Sequence, residues 1–427
     1  MNVNAAAHPT LPPSQGRLPW KDRLTDQWLP GLLVAVYFFF PISNAAANLL
    51  MLACCLLWLV PGRHSARWKI LRANPGAWMA LGLYALMLVG MAYTTGNGDE
   101  IRQHLVKYFK LMFMAIVIGV FMAEVWQRRA WWAFTAALLF ILASTWANIW
   151  VDTPWSSTQN QGWGQNHTVF KDYIAQGLMM SLLVVVALSR AIEPTASKAQ
   201  RGLWGLVALL GALSITHLSE GRTGYVALAA ALFMFILFAL RGWYRVLFLV
   251  ALLAAGGGVY QTSAPMQERV QTAIAEVRNH NLESFTSMGQ RLYFASKSLE
   301  LIAEKPLTGW GTGAYHGQFC RVADNDTWCH FGKVHPHNQF LFIWVEHGVL
   351  GLALMLGLVL LPVAVVFPRT PARLGLAAGF SGIFIVGSLT HGSLWLSTES
   401  HFFTLMGALI FASHAQRVAG NPSPPPA

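Results

Sequence analysis

Apolar runs of roughly 20 residues recur along the whole of this 427-residue chain, and no other feature limits its fold so tightly. Such a run, coiled as a helix, matches the hydrocarbon thickness of a bilayer. A chain in hydrocarbon must also satisfy its backbone polar groups within itself, which a helix does inside one segment. Twelve such segments lie near 28–42, 45–60, 75–94, 104–123, 131–150, 169–189, 203–218, 223–240, 243–260, 338–366, 373–390 and 401–415. The expectation is an all-α polytopic membrane protein of about 12 transmembrane helices. Composition agrees, with only 11% charged residues against about 25% in soluble domains. The first apolar stretch has no small-residue cleavage site after it and reads as a retained first span.

Charge sets the orientation. With the N-terminus on the cytoplasmic side, seventeen Lys and Arg residues fall in the inside segments, and the short outside connections hold one, Arg222. That satisfies the positive-inside rule and puts both termini in the cytoplasm. The net charge of +11 is therefore a topological signature, and nucleic acid is excluded as a partner. Residues 1–260 carry nine spans with short loops, 261–337 form one large outside loop, and 338–418 hold three further spans. The Pro-rich 419–427 reads as a disordered tail.

The 261–337 loop is far longer than an ordinary connection, and long ordered loops are usually functional. It contains two helical patterns, "MQERVQTAIAEV" from Met266 and "GQRLYFASKSLELIAEKP" from Gly289, then the Gly-rich "LTGWGTGAYHG". Cys320 and Cys329 lie in it nine positions apart. They read either as a disulfide in an oxidising compartment or, with His330 and His335, as a zinc set of no standard spacing. Cys54 and Cys55 sit inside an apolar span and read as packing residues.

Three separated segments deliver cations and imidazole to the outer face. Arg222 starts the eighth span, against the helix dipole. It reads as a snorkelling cation, as a partner of Glu220, or as half of an anion site. Arg291 lies on the loop. His337 precedes Asn338 at the start of the tenth span, where the dipole favours neutral imidazole; it reads as a cap, a packing residue or a general base. His335 is its neighbour. No HExxH pattern is present, so no metal is called for. Lys107 and Lys171 open the fourth and sixth spans and read as headgroup anchors or as contacts to lipid or substrate. His391, Trp395 and Glu399 fall on the same face.

"LSEGRTGYVAL", "RLYFASKSLELIAEKPLTGWGTGAYHGQF" and "VHPHNQFLFIWVEHGVLGL" together resemble the conserved region of the O-antigen ligase and O-antigen polymerase superfamily, across about 215–352. The resemblance implies a GT-C-like enzyme of the bacterial inner membrane with its active site facing the periplasm. It implies that Arg222 and Arg291 hold the diphosphate of an undecaprenyl-diphosphate-linked glycan donor and that His337 is the base. His335 and Asn338 come as neighbours. Neither cofactor nor metal is implied. The reaction would transfer the glycan, with inversion, to a sugar hydroxyl of lipid A–core in lipopolysaccharide biosynthesis. A polymerase and a protein O-oligosaccharyltransferase are the alternatives within the superfamily, and the length and single late loop favour the ligase. A transporter is the non-enzyme alternative. It is disfavoured because no half-repeat is evident and the polar residues gather at the outer mouth rather than the midplane.

Overall fold

A computed structural model describes residues 24–60, 64–278 and 285–418; the expected tail 419–427 and most of the N-terminal tail lie outside them. Among the described residues the regular structure is entirely helical. After a π-helical turn, Leu24–Trp28, come α1 (Leu29–Phe39), α2 (Asn44–Trp58), α3 (His64–Ala73), α4 (Pro75–Gly90), α5 (Gly98–Tyr108), α6 (Lys110–Val120), α7 (Glu124–Ala147), α8 (Tyr173–Ala191), α9 (Lys198–His217), α10 (Arg222–Ala239) and α11 (Trp243–Thr262). The large loop holds α12 (Ala264–Arg278), α13 (Ser287–Glu304), α14 (Tyr315–Val322) and α15 (Asp326–Gly332). Then follow α16 (Gln339–Val365), α17 (Pro371–Thr390), α18 (Ser397–Ala412) and the short α19 (His414–Val418).

The chain is a multi-pass membrane protein with a large helical region outside the spans. All twelve expected apolar segments contain helix, but among the described residues fewer than twelve helices have the length and hydropathy of a full span. Seven helices are long and apolar enough to cross a bilayer, α5 and α6 together counting as one, or eight if the pair α3–α4 is a single span bent by 89°. For three of the segments that fall short the physical reason is length. At 1.5 Å per residue, the 11-residue α1, 15-residue α2 and 16-residue α18 reach only part of the way across. The bend between α3 and α4 is built by Asn74 and Pro75. Asn74 caps α4 by accepting from Gly76 N (3.0 Å), and its Nδ2 donates to the Phe411 carbonyl at 2.8 Å. Pro75 takes the first helical position, where a missing N–H is harmless.

Small residues let the spans approach. Gly375, Gly379 and Gly382 of α17 lie against Phe235, Ala231 and Ala230 of α10, the spacing that brings helices together where hydrocarbon provides no hydrophobic drive. The other device is a break in α16. Gly348 has φ +62° and ψ −162°, and the Leu307 carbonyl fills the space a side chain would need. The loop is hydrogen-bonded into this gap: Val349 N donates to Pro306 O (3.0 Å), Trp310 N to Val345 O (2.9 Å) and Gly311 N to Glu346 O (2.8 Å). On the loop's other side Thr312 Oγ1 donates to Met87 O (2.5 Å), and Tyr93 donates its hydroxyl to Thr308 O (2.9 Å). Gly309 and Gly311, both at positive φ, allow the turn to thread between α4 and α16.

Candidate active site

His337 is held in an unusual backbone state. Its φ is +53°, a left-handed conformation that costs roughly 1–2 kcal/mol for a residue with a side chain. Two neighbours hold it there. Asn338 caps α16, its Oδ1 accepting from Phe340 N (3.0 Å) and Leu341 N (3.1 Å). His335 Nδ1 accepts from the His337 backbone N–H at 3.1 Å. That bond fixes the His335 tautomer: with Nδ1 an acceptor, the neutral ring carries its proton on Nε2. His335 is therefore a brace for the turn.

The His337 ring lies parallel to Phe294 of α13, with centroids 6.0 Å apart, and faces His335 at 4.4 Å and His391 at 5.3 Å. Its Nδ1 is buried and has no hydrogen-bond partner among the described residues, as is true of His391 Nδ1 and Trp395 Nε1. Burial, and after it His391 and Arg291, push the His337 pKa down to about 4. Burial and Arg291 bring His391 to about 4 as well. His337 is thus neutral at physiological pH.

Arg291 sits on α13 three residues before Phe294, on the same side of the helix. It forms no ion pair within 4 Å among the described residues. Burial, then the nearby Arg222, lower its pKa; Glu276 and Tyr173 act in the opposite sense. Arg222, at the first turn of α10, is paired in a fork with Glu276 of α12: Nη1 to Oε2 at 3.1 Å and Nη2 to Oε1 at 3.4 Å. Glu220, the partner its sequence position suggested, is taken instead by Arg269. His337, Arg291 and Arg222 therefore form one run of groups, from a free imidazole nitrogen to a guanidinium already gripping a carboxylate.

Lys107 joins the rim, its Nζ 3.8 Å from the Trp395 ring centroid and close enough to His335 to lower its pKa further. Lys171 belongs to a separate group. It donates to Asn44 Oδ1 at 2.9 Å, and burial brings it to about 8, with Asp172 and Glu399 acting against the fall. Cys320 and Cys329 form a disulfide between α14 and α15. No group of three or more His, Cys, Asp or Glu among the described residues is arranged to hold a metal ion.

Two functional-looking features escaped the sequence. Glu276 is one, since its partner is 54 residues away. The other is a buried pair, His104 Nε2 to Glu346 Oε1 at 2.9 Å, with Tyr315 N donating to the same carboxylate oxygen at 3.2 Å. A carboxylate within an apolar span was the available signal, because such groups are costly unless paired. This pair anchors α5, α14 and α16 beneath the histidines.

Fold and site together define a polytopic membrane protein with a cationic, imidazole-bearing mouth suited to an anionic ligand. Comparison with known proteins finds similarity over part of the chain. The O-Antigen ligase family model matches residues 206–356, a stretch that holds Arg222, Arg291 and His337. An uncharacterized protein of Haemophilus influenzae is 27% identical over 176 residues, 38% of this chain and 42% of that protein. The O-antigen ligase of Salmonella typhimurium is 45% identical over 56 residues, 12% of this chain and 14% of the ligase. The matches thus span less than half the length of either relative. Residues 206–356 are similar to the O-antigen ligase family.

Proposed function

We propose that this protein is a glycosyltransferase that moves a glycan from undecaprenyl diphosphate to a sugar hydroxyl of lipid A–core, with its site on the periplasmic side of the bacterial inner membrane. The observation that carries this reading is the buried Nδ1 of neutral His337 beside Arg291, neither of which has a hydrogen-bond or carboxylate partner among the described residues. His337 takes the proton of the acceptor hydroxyl as its oxygen attacks the anomeric carbon. The bond from that carbon to the phosphate oxygen breaks, and undecaprenyl diphosphate leaves with the electron pair. Attack from the face opposite the leaving group inverts the configuration. Charge grows on the diphosphate as that bond breaks, where guanidinium groups stabilise it most. The Arg222 fork already holds two carboxylate oxygens, and a diphosphate presents oxygens of the same spacing and sign. The activated donor supplies the driving force, so neither ATP nor a metal ion is required.

The pH dependence follows from the histidine. A base must be unprotonated, so activity is present above its pKa and lost as pH falls through it. For the free enzyme that pKa is about 4, so kcat/KM should hold steady from neutrality to about pH 5 and fall near pH 4. A bound diphosphate offsets Arg291 and raises the imidazole pKa, so the acid limb of kcat should lie higher than that of kcat/KM. An acid limb of kcat/KM at the ordinary histidine value removes His337 as the titrating base.

Reconstitution of the full chain with lipid A–core and an undecaprenyl-diphosphate glycan tests the activity. The expected product is glycan on lipid A–core, formed equally with excess chelator present. Longer lipid-linked chains with nothing on lipid A–core would make the enzyme a polymerase, and no transfer to either acceptor would overturn the reading.

A further inference from the structure

At the end of the bundle away from the histidines lies a second cationic site, in a cavity of about 300 Å³. It is framed by the first turns of α7 and α17 and the last turns of α8 and α18. These are the ends of α8, α17 and α18 opposite those bearing Lys171, His391 and Glu399. Arg128, Arg190 and Arg373 reach it from three different helices, and Leu376 and Ile410 contribute apolar wall. Arg373 is fixed: it donates to Glu124 Oε1 at 2.8 Å and to the Phe367 carbonyl at 2.7 Å. That pairing also neutralises Glu124. Arg190 is positioned over the Trp132 ring at 5.1 Å. Arg128 and Arg190 have no ion pair within 4 Å among the described residues. The remaining acid at the cavity, Glu193, leaves the site net cationic.

We propose that this cavity holds the headgroup phosphate of an anionic phospholipid from the leaflet at that end of the protein. Three features favour a lipid. The cavity lies at the ends of spans, the depth of the phosphate layer, and its volume suits a small-molecule group. Its mouth carries two guanidinium groups without an ion-pair partner among the described residues, set against the single carboxylate of Glu193, and guanidinium is the side chain best matched to phosphate oxygens. Part of its wall is apolar, from Val186, Leu376, Leu409 and Ile410, which suits the glycerol and first acyl carbons.

The test uses the full chain in detergent, loaded with phosphatidylglycerol or phosphatidylcholine, with bound lipid counted by native mass spectrometry. Phosphatidylglycerol should be retained about fivefold better, the effect of the one net positive charge left at the cavity. The double variant Arg128→Gln/Arg190→Gln should bring retention down to that of phosphatidylcholine. Arg129→Gln, on a side chain over Trp126 outside the cavity, should leave it unchanged. If the double variant does not fold, Arg128→Gln alone, at an exposed position, must still lower retention about fivefold. Equal retention of the two lipids, equal loss in Arg129→Gln, or no loss in the Arg128 variant overturns the proposal. So does displacement of phosphatidylglycerol by millimolar inorganic phosphate, which would show a site that reads a free anion.

Discussion

Replacing His337 by alanine should lower glycan transfer by about 10²–10⁴-fold, the usual contribution of a positioned base, while the chain still folds and inserts. The substitution has a backbone side effect, because alanine tolerates the left-handed φ of +53° poorly. His337→Asn is the sharper variant. Asparagine adopts that conformation readily and keeps a polar side chain, yet has no basic nitrogen. Both variants should lose activity, and the asparagine variant should keep the thermal midpoint of the parent. Full activity in the asparagine variant would remove the base assignment. His335→Ala separates base from brace. It deletes the acceptor of the His337 N–H, so it should loosen the turn and lower activity by less than loss of the base does.

Arg291→Ala should cost about 10²–10³-fold in kcat/KM, the scale of losing one charge-stabilising donor in a shielded site. Arg291→Lys should recover only part of this, because an ammonium is a point charge and cannot bind two oxygens in a plane. Arg222→Ala should behave differently. Its partner Glu276 has a side chain only 14% exposed, so removing the arginine leaves a carboxylate facing the incoming diphosphate. Donor KM should rise more steeply than for Arg291→Ala, and adding Glu276→Gln should restore part of the loss. Donor KM unchanged in both arginine variants would show that the diphosphate binds elsewhere.

Apolar periodicity made the helices legible, since each of the twelve runs contains helix. It left the spans ambiguous, because a run of apolar letters does not say where a helix stops short. Residues 338–366 read as one continuous span, yet it is broken at Gly348, where Val349 N donates to the Pro306 carbonyl and Trp310 and Gly311 donate to the Val345 and Glu346 carbonyls. Those bonds are non-local, and no local pattern reports them. The site divides the same way. Asn338 as a cap and His337 beside it follow from adjacency. The pairing of Arg222 with Glu276 rather than Glu220 depends on where α12 comes to rest, and the placement of Phe294 and His391 around the imidazole depends on three elements meeting. Net charge and spacing carry none of that information.

The hydrogen bonds that tie residues 306–312 into the broken helix and onto α4 bear on how far this protein can be treated as modular. Residues 261–337 look like a cassette that could be exchanged between relatives to trade acceptor preference. The cassette's segment 306–312 is instead keyed to backbone groups at Met87, Gly90, Val345 and Glu346. A chimera that swaps the loop alone would inherit a mismatched seam, and its failure would say nothing about specificity. A chimera that carries 87–94 and 345–349 along with the loop keeps the seam intact, and is the form in which acceptor choice can be transplanted.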